Sequence, residues 1–193
     1  MNPDLYEAIR FANLEKMRMI NDGSNFDIYQ VDQVGRNLIA VNCICAENDR
    51  ENGGIRSTIL RELADKGVDF SHTDTNGKCS IHYATGSGCP EIISELIELG
   101  SDIDAPEVGS ARTPLHIAAS RGWSNCVETL LSAGANPLLM DSDGLVPAET
   151  AGIRGFHQTK RIITEESDRI CAYNKRLEYV RDGFVNFLIS CDF

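Results

Sequence analysis

Apolar residues recur along this chain in short bursts with helical spacing, each burst too brief for a long helix and out of step with strand alternation. Around residues 113–135, Leu115, Ile117, Val127, Leu130 and Leu131 draw one apolar stripe on each of two successive helices. Pro114 suits the first turn of the leading helix, because its φ is preset and its missing N–H is not needed there. Thr113 can cap that helix, and the pair Ala118 and Ala119 lets a neighbouring helix approach closely. Gly122 can take the positive φ that ends a short helix. One such pair cannot bury its stripe alone, so the pattern predicts a stack of similar pairs.

A second pattern closes the chain. Ile170, Tyr173, Leu177, Val180, Phe184 and Phe187 alternate spacings of three and four, which is one stripe along a helix. Ile163 and Cys191 extend the phase, Glu166 interrupts it, and Gly183 is expected to break the helix late. The expectation is a helix folded as a cap onto the open end of the stack. The other reading of the same stripe is a coiled-coil seam, giving a weak homodimer through 163–191 in place of a monomer.

The helix-pair pattern is periodic. His82 lies over His116, Ala84 over Ala118, Gly88 over Gly122 and Gly100 over Gly134, each 34 residues apart. Pro147 and Gly155 fall 33 after Pro114 and Gly122, and Gly67 falls 33 before Gly100. With "TPLHIAASRG" followed by "VETLLSAGANP", these residues resemble ankyrin repeats over roughly residues 4 to 157. The resemblance implies an all-α solenoid of helix-turn-helix units, five of them here, with residues 1–157 as the repeat domain and 158–193 as a helical cap. The first unit reads as a terminal one and the second as the most divergent.

The departures from the pattern carry information of their own. The second unit spans 44 residues from Gly23 to Gly67, and its excess, 47–54, reads as a solvated insertion between two helices. The 104–111 loop lacks the Asp-x-x-Gly opening and puts Val108 near a tip, beside Glu107. The fifth unit has Glu149 where its neighbours have His, and Val146 where the fourth has Thr. Trp123 and Phe156 occupy matching places on the flank of the stack, where packing between adjacent units is the expected role.

Composition narrows the function classes. The net charge is −11, with 12 basic and 23 acidic residues in 1–157 against 6 and 6 in 158–193. That surplus argues against direct nucleic-acid binding and for a protein partner with a basic or polar surface. No apolar run approaches the roughly 18 residues of a membrane span, and the acidic N-terminus does not read as a secretory signal. Seven cysteines, an odd number without framework spacing, fit a reducing, cytoplasmic setting, with signal-free export into a host cell as the alternative. No cofactor is expected. Zinc is not expected either, since Cys43 and Cys45 are too close and no second pair follows at ligand spacing. His82 and His116 read as structural bridges between a turn and the next unit.

What remains is a binding module without a catalytic centre. In proteins of the resembled family, partners usually lie against the hairpin tips and the exposed face of the first helices. Carried onto this chain, the tip positions are Gln33, Val34 and Arg36, then Thr75, Asn76 and Lys78. Glu107, Val108, Arg112 and Arg121 follow, and Ser142, Asp143, Leu145 and Arg154 complete the set. The implied function is an adaptor or inhibitor. Two rivals stand beside it: an acidic immunity-type inhibitor of a basic nucleic-acid enzyme, and an enzyme with a Cys/His site.

Overall fold

The computed structural model describes residues 3–23, 29–45 and 53–190. Among the described residues ten helices form five consecutive pairs: α1 (Pro3–Arg10) with α2 (Leu14–Gly23), α3 (Leu38–Cys45) with α4 (Gly53–Asp65), and α5 (Ser80–Gly86) with α6 (Pro90–Glu98). Then come α7 (Pro114–Arg121) with α8 (Ser124–Ser132) and α9 (Pro147–Ile153) with α10 (His157–Ser190). Among the described residues there is no strand. The expected insertion at 47–54 falls largely outside the described residues.

The pairs stack in two layers. An inner layer runs α1, α3, α5, α7, α9, and an outer one runs α4, α6, α8, α10, each helix packing on the next of its layer. The apolar stripes meet between them in one continuous core that includes Ile9, Leu38, Leu60, Ile81, Leu96, Leu115, Leu130 and Ile163. The first and second units are joined by a buried arginine. Arg56 of α4, 1% exposed, donates to the carbonyls of Ile9 (3.3 Å) and Arg10 (3.1 Å), which end α1. A cation at a helix C-terminus also meets the negative end of the helix dipole.

Three further devices recur between units along the rest of the stack. Backbone amides join consecutive tips, from Thr75 to the Val34 carbonyl (3.0 Å), Val108 to Gly77 (3.3 Å) and Ser142 to Ser110 (2.9 Å). The histidines span units as expected: Nε2 of His82 donates to the Ala105 carbonyl and Nε2 of His116 to that of Leu145, both at 2.9 Å. Aromatic rings lie on glycines of the preceding unit. Trp123 covers Gly88, and Phe156 covers Gly122 so closely that an added Cβ would stand 2.4 Å from the ring.

Unit two makes the same bridge with a different residue. Asn37 caps α3 through its carbonyl, which accepts from the Ala40 amide (2.9 Å), while its side-chain NH2 donates to the Asp69 carbonyl. Among the described residues no further helix pair follows unit five. There Glu149 performs only the capping half of the histidine's task, accepting from the Val146 amide at 3.1 Å.

The C-terminal segment differs from expectation in its continuity. α10 runs unbroken from His157 to Ser190, so no boundary falls at 157/158 and Gly183 does not end the helix. A single interior glycine costs only about 1 kcal/mol relative to alanine, too little to stop a helix of this length. The first turns of α10 are the outer helix of unit five, with Thr159 and Ile163 buried, and they close the stack. Further on, Cys171–Leu177 are exposed, Tyr173 to 63% and Leu177 to 49%. That part of the stripe is not folded against unit five. The side chains of Val180, Phe184 and Phe187, and Cys191 entirely, lie outside the described residues.

Candidate functional site

Each tip is built around a carboxylate that turns inward. Asp32 Oδ1 accepts the amides of Val34 and Arg36 (both 2.9 Å), Asp74 Oδ1 those of Asn76 (2.8 Å) and Lys78 (2.9 Å), and Asp141 Oδ1 those of Asp143 and Leu145 (both 3.0 Å). Such a side chain mimics a backbone turn and ties down the loop. For Asp74, burial acts to raise the pKa, but the hydroxyl of Tyr83 and the amides of Lys78 and Asn76 outweigh it and hold the carboxyl below the usual range. Asp32 is lowered in the same way: burial opposes, and the Arg36 side chain with the Arg36 and Val34 amides prevails.

Where the 104–111 loop lacks that aspartate, Glu107 takes over. It is 8% exposed, accepts from the Ser110 hydroxyl (2.8 Å) and pairs with Lys78 Nζ at 3.3 Å. Placed among the exposed tip positions on sequence, Glu107 is instead a buried strut of its loop. Val108 is the exposed one, at 72%, and sits over Gly77. Gly77 has φ +71, and a Cβ there would lie 2.2 Å from that of Val108, so both the conformation and the contact require glycine.

The other tip positions divide into two sets. Gln33, Thr75, Asn76, Ser142, Asp143 and Arg154 are exposed, with Thr75 also giving its hydroxyl to the Val34 carbonyl (3.0 Å). Val34 and Leu145 are half-buried, and their carbonyls serve the neighbouring unit. Arg36, Lys78, Glu107, Arg112 and Arg121 come together around one hollow of about 250 Å³ between α5 and α7. Ile44, Tyr83 and Ile117 line it as well. Arg36 pairs with Asp32 at 2.6 Å, while the Arg112 guanidinium reaches only the His116 carbonyl at 3.5 Å.

A thiol and an imidazole do meet beneath this surface. Cys79 Sγ lies 3.1 Å from His82 Nδ1, but that nitrogen also accepts the Cys79 amide at 3.1 Å as a helix cap. Burial pushes the thiol pKa up and the imidazole pKa down, so both partners are held neutral. A nucleophilic cysteine needs the opposite.

A family model for ankyrin repeats, in three copies, matches residues 43–141. The chain belongs to the ankyrin-repeat family. Over 117 residues, 60% of the chain, it is 39% identical to a putative E3 ubiquitin-protein ligase XBAT35 of Arabidopsis thaliana, of which the match covers 25%. It is 33% identical to a putative E3 ubiquitin-protein ligase XBAT34 of the same plant over 66% of the chain and 34% of that protein. A B-cell lymphoma 3 protein homolog of Mus musculus is 29% identical over 65% of the chain and 27% of its own length. The chain thus spans about a quarter to a third of these relatives. Ankyrin repeats generally mediate protein–protein interaction, and the fold itself is non-catalytic.

In the middle of this ankyrin stack the helix charge is divided by layer, whereas the inner helices α1 and α9 at its ends carry Asp4, Glu7 and Glu149. The inner helices α3, α5 and α7 contain no carboxylate, whereas the outer helices α6 and α8 contain Glu91, Glu95, Glu98 and Glu128 and no cation. In these units the helix carboxylates lie on the outer layer, while Asp32, Asp74 and Asp141 at the tips are turned inward. Sequence reasoning named the cations of the ankyrin tips one by one but missed Tyr83, Gly86 and Ile44 beside them. A signal existed: units three and four agree at His82/His116 and Ala84/Ala118, yet differ at Tyr83/Ile117, Gly86/Ser120 and Ser87/Arg121, all facing the hollow.

Proposed function

We propose that this chain is a non-enzymatic interaction module, an adaptor or inhibitor, that holds a partner protein against its hairpin tips and the inner face of its first helices. The observation that carries this reading is the row of exposed tip side chains on a backbone fixed from three sides. Inward aspartates, tip-to-tip amide bonds and histidine bridges leave Gln33, Asn76, Val108, Ser142 and Asp143 displayed on a rigid edge, and pre-ordering lowers the cost of binding. Arg154 and Arg121 extend the same edge onto the inner helices.

A second reading rests on the outer layer. Glu98 and Glu128 line a cleft between α6 and α8, and Glu128, Glu165 and Glu166 line another between α8 and α10. A basic partner surface, such as that of a nucleic-acid enzyme under inhibition, would meet the molecule there. Calorimetry with a captured partner separates the two. Alanine at Asn76, Val108, Ser142 and Asp143 together is expected to weaken binding by about tenfold or more, while Glu98→Lys with Glu128→Lys leaves it unchanged. The reverse outcome assigns function to the outer layer.

A further inference from the structure

The hollow between α5 and α7 sets four cations, Arg36, Lys78, Arg112 and Arg121, against one carboxylate, Glu107, in a chain whose net charge is −11. Their states differ. Arg36 is neutralised by Asp32 and Lys78 by Glu107, whereas neither Arg112 nor Arg121 forms an ion pair among the described residues. A guanidinium offers a rigid fork of donors that matches a carboxylate in two parallel hydrogen bonds. Two unspent forks thus face a recess whose wall helices carry no acid of their own.

The rest of the lining narrows the occupant. Ile44, Ile117 and the half-buried Tyr83 give the recess an apolar side, which suits a polypeptide. Gly86 leaves the backbone of α5 bare: a Cβ placed there meets no atom within 4 Å, so the space above it is open. Nucleic acid is disfavoured, because it is held by a run of phosphate contacts, whereas this recess offers two unpaired guanidiniums in a chain of net charge −11.

Building on the interaction-module reading, we propose that this hollow seats an extended acidic segment of a partner protein, with Arg112 and Arg121 each taking one of its carboxylates. The spacing follows from geometry. The backbone from Arg112 to Arg121 runs nine residues, mostly along α7, roughly 13 Å at about 1.5 Å per residue, and the Arg112 guanidinium reaches along it to the His116 carbonyl, so the two forks stand within that distance. An extended chain covers that distance in about four residues at ~3.3 Å each. The expected motif is a pair of Asp or Glu residues within that separation, with an apolar residue between them for Ile44 and Ile117.

A displayed library of random peptides, selected on the full chain, tests the proposal. Acidic peptides with that spacing should be enriched, bind more weakly as salt is added, and lose about tenfold or more in affinity to Arg112→Glu and to Arg121→Glu. Gly86→Glu provides an independent arm, since it puts a negative charge into open space at a helical position without disturbing packing. It should block binding while leaving the thermal midpoint unchanged or raised. Enrichment of basic or apolar peptides whose binding depends on Val108 overturns this proposal and leaves the interaction module standing. Tighter binding of an oligothymidine probe than of any selected peptide overturns it in favour of nucleic acid. Failure to enrich any peptide class overturns both readings together.

Discussion

Both ring nitrogens of His116 are occupied, and the partners fix its tautomer. The Leu145 carbonyl can only accept, so Nε2 carries the proton; the Thr113 amide can only donate, so Nδ1 at 3.2 Å is bare. His82 is held in the same way between Cys79 and Ala105. Protonating either ring would turn an N–H against an N–H, and burial already lowers both pKa values from the ordinary 6.5. Since the unfolded chain binds these protons more readily, the stabilisation is complete above that value and is lost as pH falls below it. Thermal unfolding followed from about pH 7.5 to 5.5 should therefore show a falling midpoint. His116→Ala should cost about 1–3 kcal/mol at the upper end, by orphaning two buried groups, and should flatten the decline. A slope identical to that of the parent protein would remove the bridge from the account.

Among the helices, those with proline at the first turn and a left-handed glycine after the last were readable in advance: α7 between Pro114 and Gly122 is the plainest, and α9 follows it. Local residues decide those boundaries. α3 was harder to read because Asn37, at the N-cap itself, performs the capping and bridging that His116 performs from the third helical position in unit four. The length of α10 was misjudged for a different reason. A stripe of apolar residues predicts that a face is buried but not against what, and only tertiary contacts show burial ending near Ile163. The hollow was half legible for the same kind of reason: its cations could be named, but their convergence depends on how neighbouring units sit side by side. The division within α10 is measurable. Ile163→Ala should destabilise the stack by about 2–4 kcal/mol, whereas Tyr173→Ser with Leu177→Ser should change the stability of the monomer by no more than ~0.5 kcal/mol. A large loss in the double variant would show that this stretch caps the stack after all.

A solenoid has no single centre, and its cohesion is a sum of contacts between neighbours. That makes the terminal unit the place where one bad contact has the most visible effect, because unit five leans on unit four alone. Phe156, at the turn into α10, lies on Gly122 at the end of α7, and Gly122 has φ +69. Gly122→Ala therefore introduces two costs: a left-handed backbone for a residue with a Cβ, and a methyl group where the ring now sits. Together these come to roughly 2–4 kcal/mol. α5 and α6 belong to unit three, away from that contact, and keep their own neighbours. Hydrogen exchange on the full chain should show amides of α9 and the first turns of α10 losing protection while those of α5 and α6 retain it, and denaturant unfolding should broaden into two steps. If every helix lost protection equally, the chain would be one cooperative body, and the rigid edge proposed as the binding surface would be stable only as a whole.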